Sequence, residues 1–145
     1  MWSVTNFGRM PGSNMFVMPV RVYYEDTDAG GVVYHSRYLN FMERARTEWL
    51  RALGFAQAVL RQDEQVLFVV HSMQLQFKKP ARLDDELKVV SHVTDMGRGS
   101  FSCQQQIMRD ELVLLEAQVK VACVNADSFK PTGIPARIKI ALESS

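Results

Sequence analysis

The amino-acid sequence predicts an α+β fold in which one long helix covers a face of an antiparallel sheet. Two observations carry that expectation. A stretch over about residues 36–53 repeats its apolar residues at helical spacing, and no comparable stretch follows it. Runs of period-two alternation lie on both sides, and those after the helix are joined by short turn signals. Strands joined by short turns pair antiparallel, and the apolar stripe of a lone helix must be buried against such a sheet.

Residues 1–17 carry Gly8, Pro11, Gly12, Ser13 and Asn14 and read as a loose lead-in, with 18–145 as one domain. Met10, Met15 and Met18 are each acceptable as a translation start. From Met18 the chain alternates, with Met18, Val20, Val22 and Tyr24 on one face and Arg21, Tyr23 and Glu25 on the other. Pro19 is tolerable there only near the start of the strand. The helix places Tyr38, Met42, Ala45, Trp49 and Leu53 on one stripe, and Gly54 stops it. A short helical segment is expected around Ala56–Arg61.

Four strand runs follow. His71, Met73, Leu75 and Phe77 alternate with polar neighbours; Leu87–Val93 and Phe101–Met108 come next. Then Leu115, Ala117, Val119, Val121 and Cys123 face opposite Glu116, Gln118 and Lys120. Pro80, Asp84-Asp85, Gly97–Gly99 and Arg109-Asp110 separate the runs. Pro131, Gly133 and Pro135 mark a loop before a short polar tail.

Composition narrows the function classes. The chain has 145 residues, 47% hydrophobic and 23% charged, and its 17 Lys+Arg against 16 Asp+Glu give a net charge of +1. Such a balance offers no whole-protein attraction to nucleic acid. No apolar run approaches the roughly 20 residues of a membrane-spanning helix, and the first residues lack the pattern of a signal peptide. Cys103 and Cys123 lie far apart without CxxC spacing, as expected of two free, buried thiols in a reducing cytoplasm.

Chemistry concentrates in Tyr23-Tyr24-Glu25-Asp26-Thr27-Asp28-Ala29-Gly30-Gly31-Val32-Val33-Tyr34-His35-Ser36, between the first strand and the helix. Unbonded N–H groups in a helix's first turn, together with its dipole, favour negative charge and suit a developing oxyanion. A calcium loop is excluded, because its twelfth position is Arg37 where a glutamate is needed. No Lys-Ser or Lys-Thr follows the glycines, no GxSxG occurs, and His35, His71 and His92 lack zinc-site spacing. No metal or cofactor is expected. On residue types alone, Asp26 and Asp28 equally suit a turn or a helix cap, and capping is the commoner use.

The segment Val22–Leu53, VYYEDTDAGGVVYHSRYLNFMERARTEWLRAL, closely resembles the Tol–Pal-associated acyl-CoA thioesterases of the YbgC type. These belong to the 4-hydroxybenzoyl-CoA thioesterase branch of the hotdog-fold superfamily. The similarity continues through Phe68-Val69-Val70 and Pro80-Ala81-Arg82-Leu83-Asp84-Asp85. The resemblance implies a curved antiparallel sheet wrapped around the long helix, and sheets joined edge to edge in a homodimer that assembles further to a homotetramer. It implies an acyl-CoA or acyl-carrier-protein substrate, with transient contact to a carrier protein or the inner membrane. By motif position, the catalytic carboxylate falls on Asp28, its histidine on His35 and a supporting tyrosine on Tyr24. The oxyanion falls on backbone N–H groups of Tyr34 and His35.

The resemblance also makes Val69, His71, Arg82, Arg98 and Ser100 candidates for substrate contact, Arg82, Arg98 and Ser100 toward CoA phosphates, each with an ordinary structural role as the alternative. Glu43 occupies a helix, where other hotdog branches use a glutamate, but a solvated helix face explains it as well. Tyr24 either supports Asp28, lines the acyl tunnel or packs in the core. The chemistry needs no Ser or Cys nucleophile. An aspartate ionised at neutral pH attacks the thioester carbonyl or activates water. The leaving thiol, with a pKa of roughly 8.5 by analogy with cysteine, departs without obligatory protonation. A hotdog dehydratase and a non-catalytic acyl-binding or envelope scaffold are the alternatives.

Overall fold

The structure is a computed structural model that describes Gly8–Arg9 and residues 15–144. Six strands form one sheet: β1 (Gly8–Arg9), β2 (Phe16–Arg21), β3 (Val66–Phe77), β4 (Glu86–Met96), β5 (Ser100–Arg109) and β6 (Leu112–Asn125). Their spatial order is β1-β2-β4-β5-β6-β3, with every neighbouring pair antiparallel. β3 therefore leaves the chain far from its sequence neighbour β4 and closes the opposite edge of the sheet.

Helix α1 (His35–Ala52) lies across the inner face, and its boundaries match the apolar periodicity within a residue. Tyr38, Met42, Ala45 and Trp49 are buried as their spacing requires, and Phe41 and Leu50 widen the stripe. The Trp49 indole packs between Phe16, stacked at 6.5 Å, and Phe101, edge-on at 6.5 Å. From the sheet below, Leu115, Ala117, Val119, Val121 and Cys123 complete the core. Gln105 is fully buried under α1, and its Nε2 donates to the Met42 carbonyl (3.1 Å) and to Ser91 Oγ (3.0 Å). No helix among the described residues is long and apolar enough to cross a membrane.

The structure departs from the alternation in four places. β2 begins at Phe16, inside the stretch read as lead-in, and ends at Arg21 instead of running through Glu25. It stops because Tyr24–Asp26 winds into a 3₁₀ turn, with the Asp26 carboxylate accepting the Tyr23 N–H at 2.9 Å. β3 starts five residues earlier than its alternation suggests, and a register shift between Val70 and Ser72 leaves His71 on a bulge. Inward residues accordingly switch from Val66 and Phe68 to Met73 and Leu75, which hid the strand's true length from a period-two reading.

The short segment after α1 is a helical turn at Gln57–Val59 (α2) continuing as a π-turn to Glu64, ended by Gln65 at φ 58°. Finally, the polar tail is a helix, α3 (Ala136–Ser144), that buries Ile138 and Leu142. Two apolar residues at i and i+4, with Ala141 packed beside them, are enough to seat a short helix that leaves Ile140 exposed.

Cys103 and Cys123 are both buried and unpaired. Burial pushes each thiol up from 9.0 to about 11. Because the folded pKa lies above the unfolded value, the protonated thiols favour the fold fully below about pH 8.5, and that contribution is lost as the pH rises toward 11. Guanidinium denaturation should show a midpoint that falls between pH 8 and pH 10.5, and falls less in a Cys103→Val variant. An equal decline in both proteins would remove the thiols as the cause.

Candidate active site

The loop from Thr27 to Val33 is a small closed turn. Thr27 bridges Val33, the Asp28 N–H donates to the Val32 carbonyl at 2.9 Å, and the Gly31 N–H donates to the Asp28 carbonyl at 3.0 Å. Gly31 sits at φ 79°, in the left-handed region that glycine enters without cost. Asp28 Oδ1 accepts the Gly30 N–H at 2.8 Å, an Asx-turn that fixes the carboxylate's direction. Among the described residues its other oxygen, Oδ2, has no partner. The turn-forming use of Asp28 thus engages one oxygen and leaves the other unengaged.

This loop is tied to the β3–β4 connection. Val32 bridges Arg82, the Val33 N–H donates to the Ala81 carbonyl at 2.9 Å, and Tyr38 Oη accepts the Ala81 N–H at 2.9 Å. Burial raises the Tyr38 phenol above 10.0, so it remains a neutral strut beneath the site. The resulting cleft of about 250 Å³ is bounded by Asp28, Tyr34, His35, Tyr38, Phe77 and Lys79. His35 stands on the rim, its ring edge-on to Phe77 at 4.8 Å. A wider groove of about 700 Å³ runs between β2 and α1, and its lining includes Asp26 but neither Asp28 nor His35.

Asp26 has a structural task. It is 6% exposed, bonds the Tyr23 N–H, and lies 3.8 Å from Arg37 Nε. Its backbone carbonyl accepts the Tyr34 N–H at 3.0 Å. That bond corrects one expectation: the Tyr34 N–H is already committed and is not free for an oxyanion. The first free donors of α1, among the described residues, are the N–H groups of His35 and Ser36.

Other candidates scatter. Tyr24 is 82% exposed in the 3₁₀ turn, outside the cleft, so neither core packing nor support of Asp28 describes it. Tyr34 and Tyr38 are the tyrosines that line the cleft, and the helical spacing of Tyr38 marked it only as core. Arg82 adjoins the site loop, whereas Arg98 and Ser100 lie at the β4–β5 turn, beyond the far end of the 11-residue β4, which spans roughly 35 Å at ~3.3 Å per residue. One protomer does not gather those three around one phosphate group. Val69 and His71 sit exposed midway along the β3 edge.

Comparison with known proteins supplies the family. Residues 22–142 match the thioesterase-like superfamily. The acyl-CoA thioesterase YbgC of Haemophilus influenzae is 49% identical over 128 residues, 88% of this chain and 94% of that protein. The chain belongs to the YbgC acyl-CoA thioesterases of the thioesterase-like superfamily. The Helicobacter pylori YbgC thioesterase is 34% identical over 136 residues, covering 88% of this chain and 99% of that one. Among solved structures, a probable thioesterase from Bartonella henselae superposes with a TM-score of 0.80 at 36% identity, over 83% of this chain and 99% of that chain. These YbgC-type thioesterases share the hotdog architecture, in which a sheet wraps a single long helix, and the α+β fold read from the sequence is therefore the family fold.

Proposed function

We propose that the chain hydrolyses acyl-CoA thioesters at the Asp28–His35 cleft, releasing a free acid and a thiol. The observation that carries this is the Asp28 carboxylate, held by one oxygen and open at the other, beside the free N-terminal amides of α1. Oδ2 attacks the thioester carbonyl and expels the thiolate to give a mixed anhydride, which water then hydrolyses to the free acid and the Asp28 carboxylate, or it draws a proton from water that attacks the carbonyl instead. The carbonyl oxygen takes up negative charge facing the His35 and Ser36 N–H groups, where the helix dipole favours it. His35 orients water on the rim. The thiolate leaves without needing a proton donor, which accounts for a site with one carboxylate and one histidine. Lys79 and Arg82, both exposed beside the cleft, suit the phosphates of a CoA or carrier-protein arm.

The assembly is part of the proposal. β3 ends the sheet and exposes Val69 (38%), Val70 (44%) and Phe77 (45%) along an unpaired edge. A long edge with apolar side chains invites pairing with another strand, and a second copy of β3 supplies one. Release of free thiol from short, long and aromatic acyl-CoAs and from an acyl-carrier protein tests the reading. Turnover of at least one donor class is expected. Binding without thiol release throughout would favour a scaffold, and formation or loss of an acyl double bond would favour a dehydratase.

A further inference from the structure

A second chamber, of about 370 Å³, opens between α1 and the β3 edge. Its walls are largely apolar, with Trp49, Leu50, Phe68 and Phe101, yet Glu43, Arg46 and Gln57 also line it. Gln57 Oε1 is buried and, among the described residues, has no hydrogen-bond partner. Arg46 gives one N–H to Gln105 Oε1 at 2.8 Å, and no carboxylate of the described residues lies within 4.0 Å of it. Glu43 shares the chamber and its charge acts on Arg46 from beyond ion-pair distance, but the unmatched buried acceptor on Gln57 is costly and marks a place where something else binds.

The chemistry of that occupant follows from the two groups. Gln57 Oε1 calls for a donor, and the Arg46 guanidinium calls for an acceptor. A hydroxyl meets both, since its O–H donates to Gln57 while its oxygen accepts from Arg46. A methyl terminus meets neither, and an ammonium donates to Gln57 but offers Arg46 no acceptor. We infer that this chamber receives the distal end of the acyl group and selects chains that end in a hydroxyl. The inference rests on the thioesterase reading and on edge pairing of β3. Two antiparallel copies paired about the centre of β3 set the Phe77 end of one beside the Val66 end of the other. The cleft of one copy then faces the chamber of its partner.

Steady-state thiol release from hexanoyl-CoA against 6-hydroxyhexanoyl-CoA, and from octanoyl-CoA against 8-hydroxyoctanoyl-CoA, tests this in the wild-type protein and in Gln57→Leu and Arg46→Met. The wild type should favour at least one hydroxylated chain by about tenfold or more in kcat/KM, because rejecting the plain chain reflects two polar groups left unmatched. Gln57→Leu should bring that pair to near equality, lowering kcat/KM for the hydroxylated chain and raising it for the plain one, whose apolar end no longer strands the Gln57 acceptor. Should Arg46→Met fail to fold, Gln57→Leu carries the test alone. No preference in the wild type, a preference that survives Gln57→Leu, preference for a terminal carboxylate (adipoyl-CoA) over the hydroxyl, or no turnover of all four chains overturns the assignment. Full activity of an Asp28→Asn variant would instead sink the catalytic reading, and the two failures are separable.

Discussion

Asp28→Asn should fold normally and lose turnover by roughly 10²–10⁴-fold, the range expected when a positioned catalytic base is removed. The amide has nearly the same shape and its oxygen still accepts the Gly30 N–H, so the Asx-turn and the Thr27–Val33 bridge have no reason to open. What disappears is the negative charge on Oδ2. An amide neither attacks a thioester carbonyl nor draws a proton from water, so KM should move little while kcat falls. The test is a comparison of kcat and KM for one acyl-CoA, with thermal denaturation as the control for folding. A free-thiol reagent suits that assay, because Cys103 and Cys123 are buried and protonated at neutral pH.

The largest effect on stability is expected at Trp49. Its side chain is 2% exposed and joins Phe16 of β2 to Phe101 of β5 beneath the helix. Trp49→Ala removes those contacts and leaves a hole that the neighbouring rings on the two strands cannot jointly fill. A loss of about 3–5 kcal/mol is typical for such a truncation, against a total of only about 5–15 kcal/mol for an ordinary domain. Urea denaturation should therefore show a large drop in midpoint or a largely unfolded protein. Tyr24→Ala, at a residue 82% exposed, should stay within about 0.5 kcal/mol of the wild type. Similar losses in the two variants would mean that the core is not organised around Trp49.

The legible parts of this molecule are those where one periodicity governs a whole element. The stripe Tyr38, Met42, Ala45 and Trp49 set α1 to within a residue, and the alternation Leu115 to Cys123 gave the inner face of β6. The illegible parts are those where a local hydrogen bond or bulge interrupts a period. Asp26 ends β2 by taking the Tyr23 N–H, and nothing in the types Tyr-Tyr-Glu-Asp distinguishes that from a continuing strand. The bulge at His71 reverses the phase of β3, and so hides Val66 and Phe68 as inward residues. α3 was missed because only Ile138 and Leu142 mark its buried side.

At the site, residue types located the Gly-rich acidic loop but did not separate Asp26 from Asp28, and only the resemblance to known thioesterases favoured Asp28. The structure supplies a physical distinction between them. Asp26 is buried and occupied by backbone and Arg37, while Asp28 keeps an oxygen open to the cleft. It also puts Tyr34 and Tyr38, and not Tyr24, along the cleft, and commits the Tyr34 N–H to the Asp26 carbonyl while those of His35 and Ser36 stay free among the described residues. Neither change is visible without knowing which N–H groups the loop has already used.

The most direct measurement sets Asp28→Asn beside Asp26→Asn and reads free-thiol release from one acyl-CoA per mole of folded protein, with the melting temperature of each. Asp28→Asn should keep its melting temperature and lose nearly all release. Asp26→Asn should melt lower yet retain far more turnover than Asp28→Asn. Wild-type release by Asp28→Asn, or the greater loss falling on Asp26→Asn, would contradict the assignment of catalysis to Asp28.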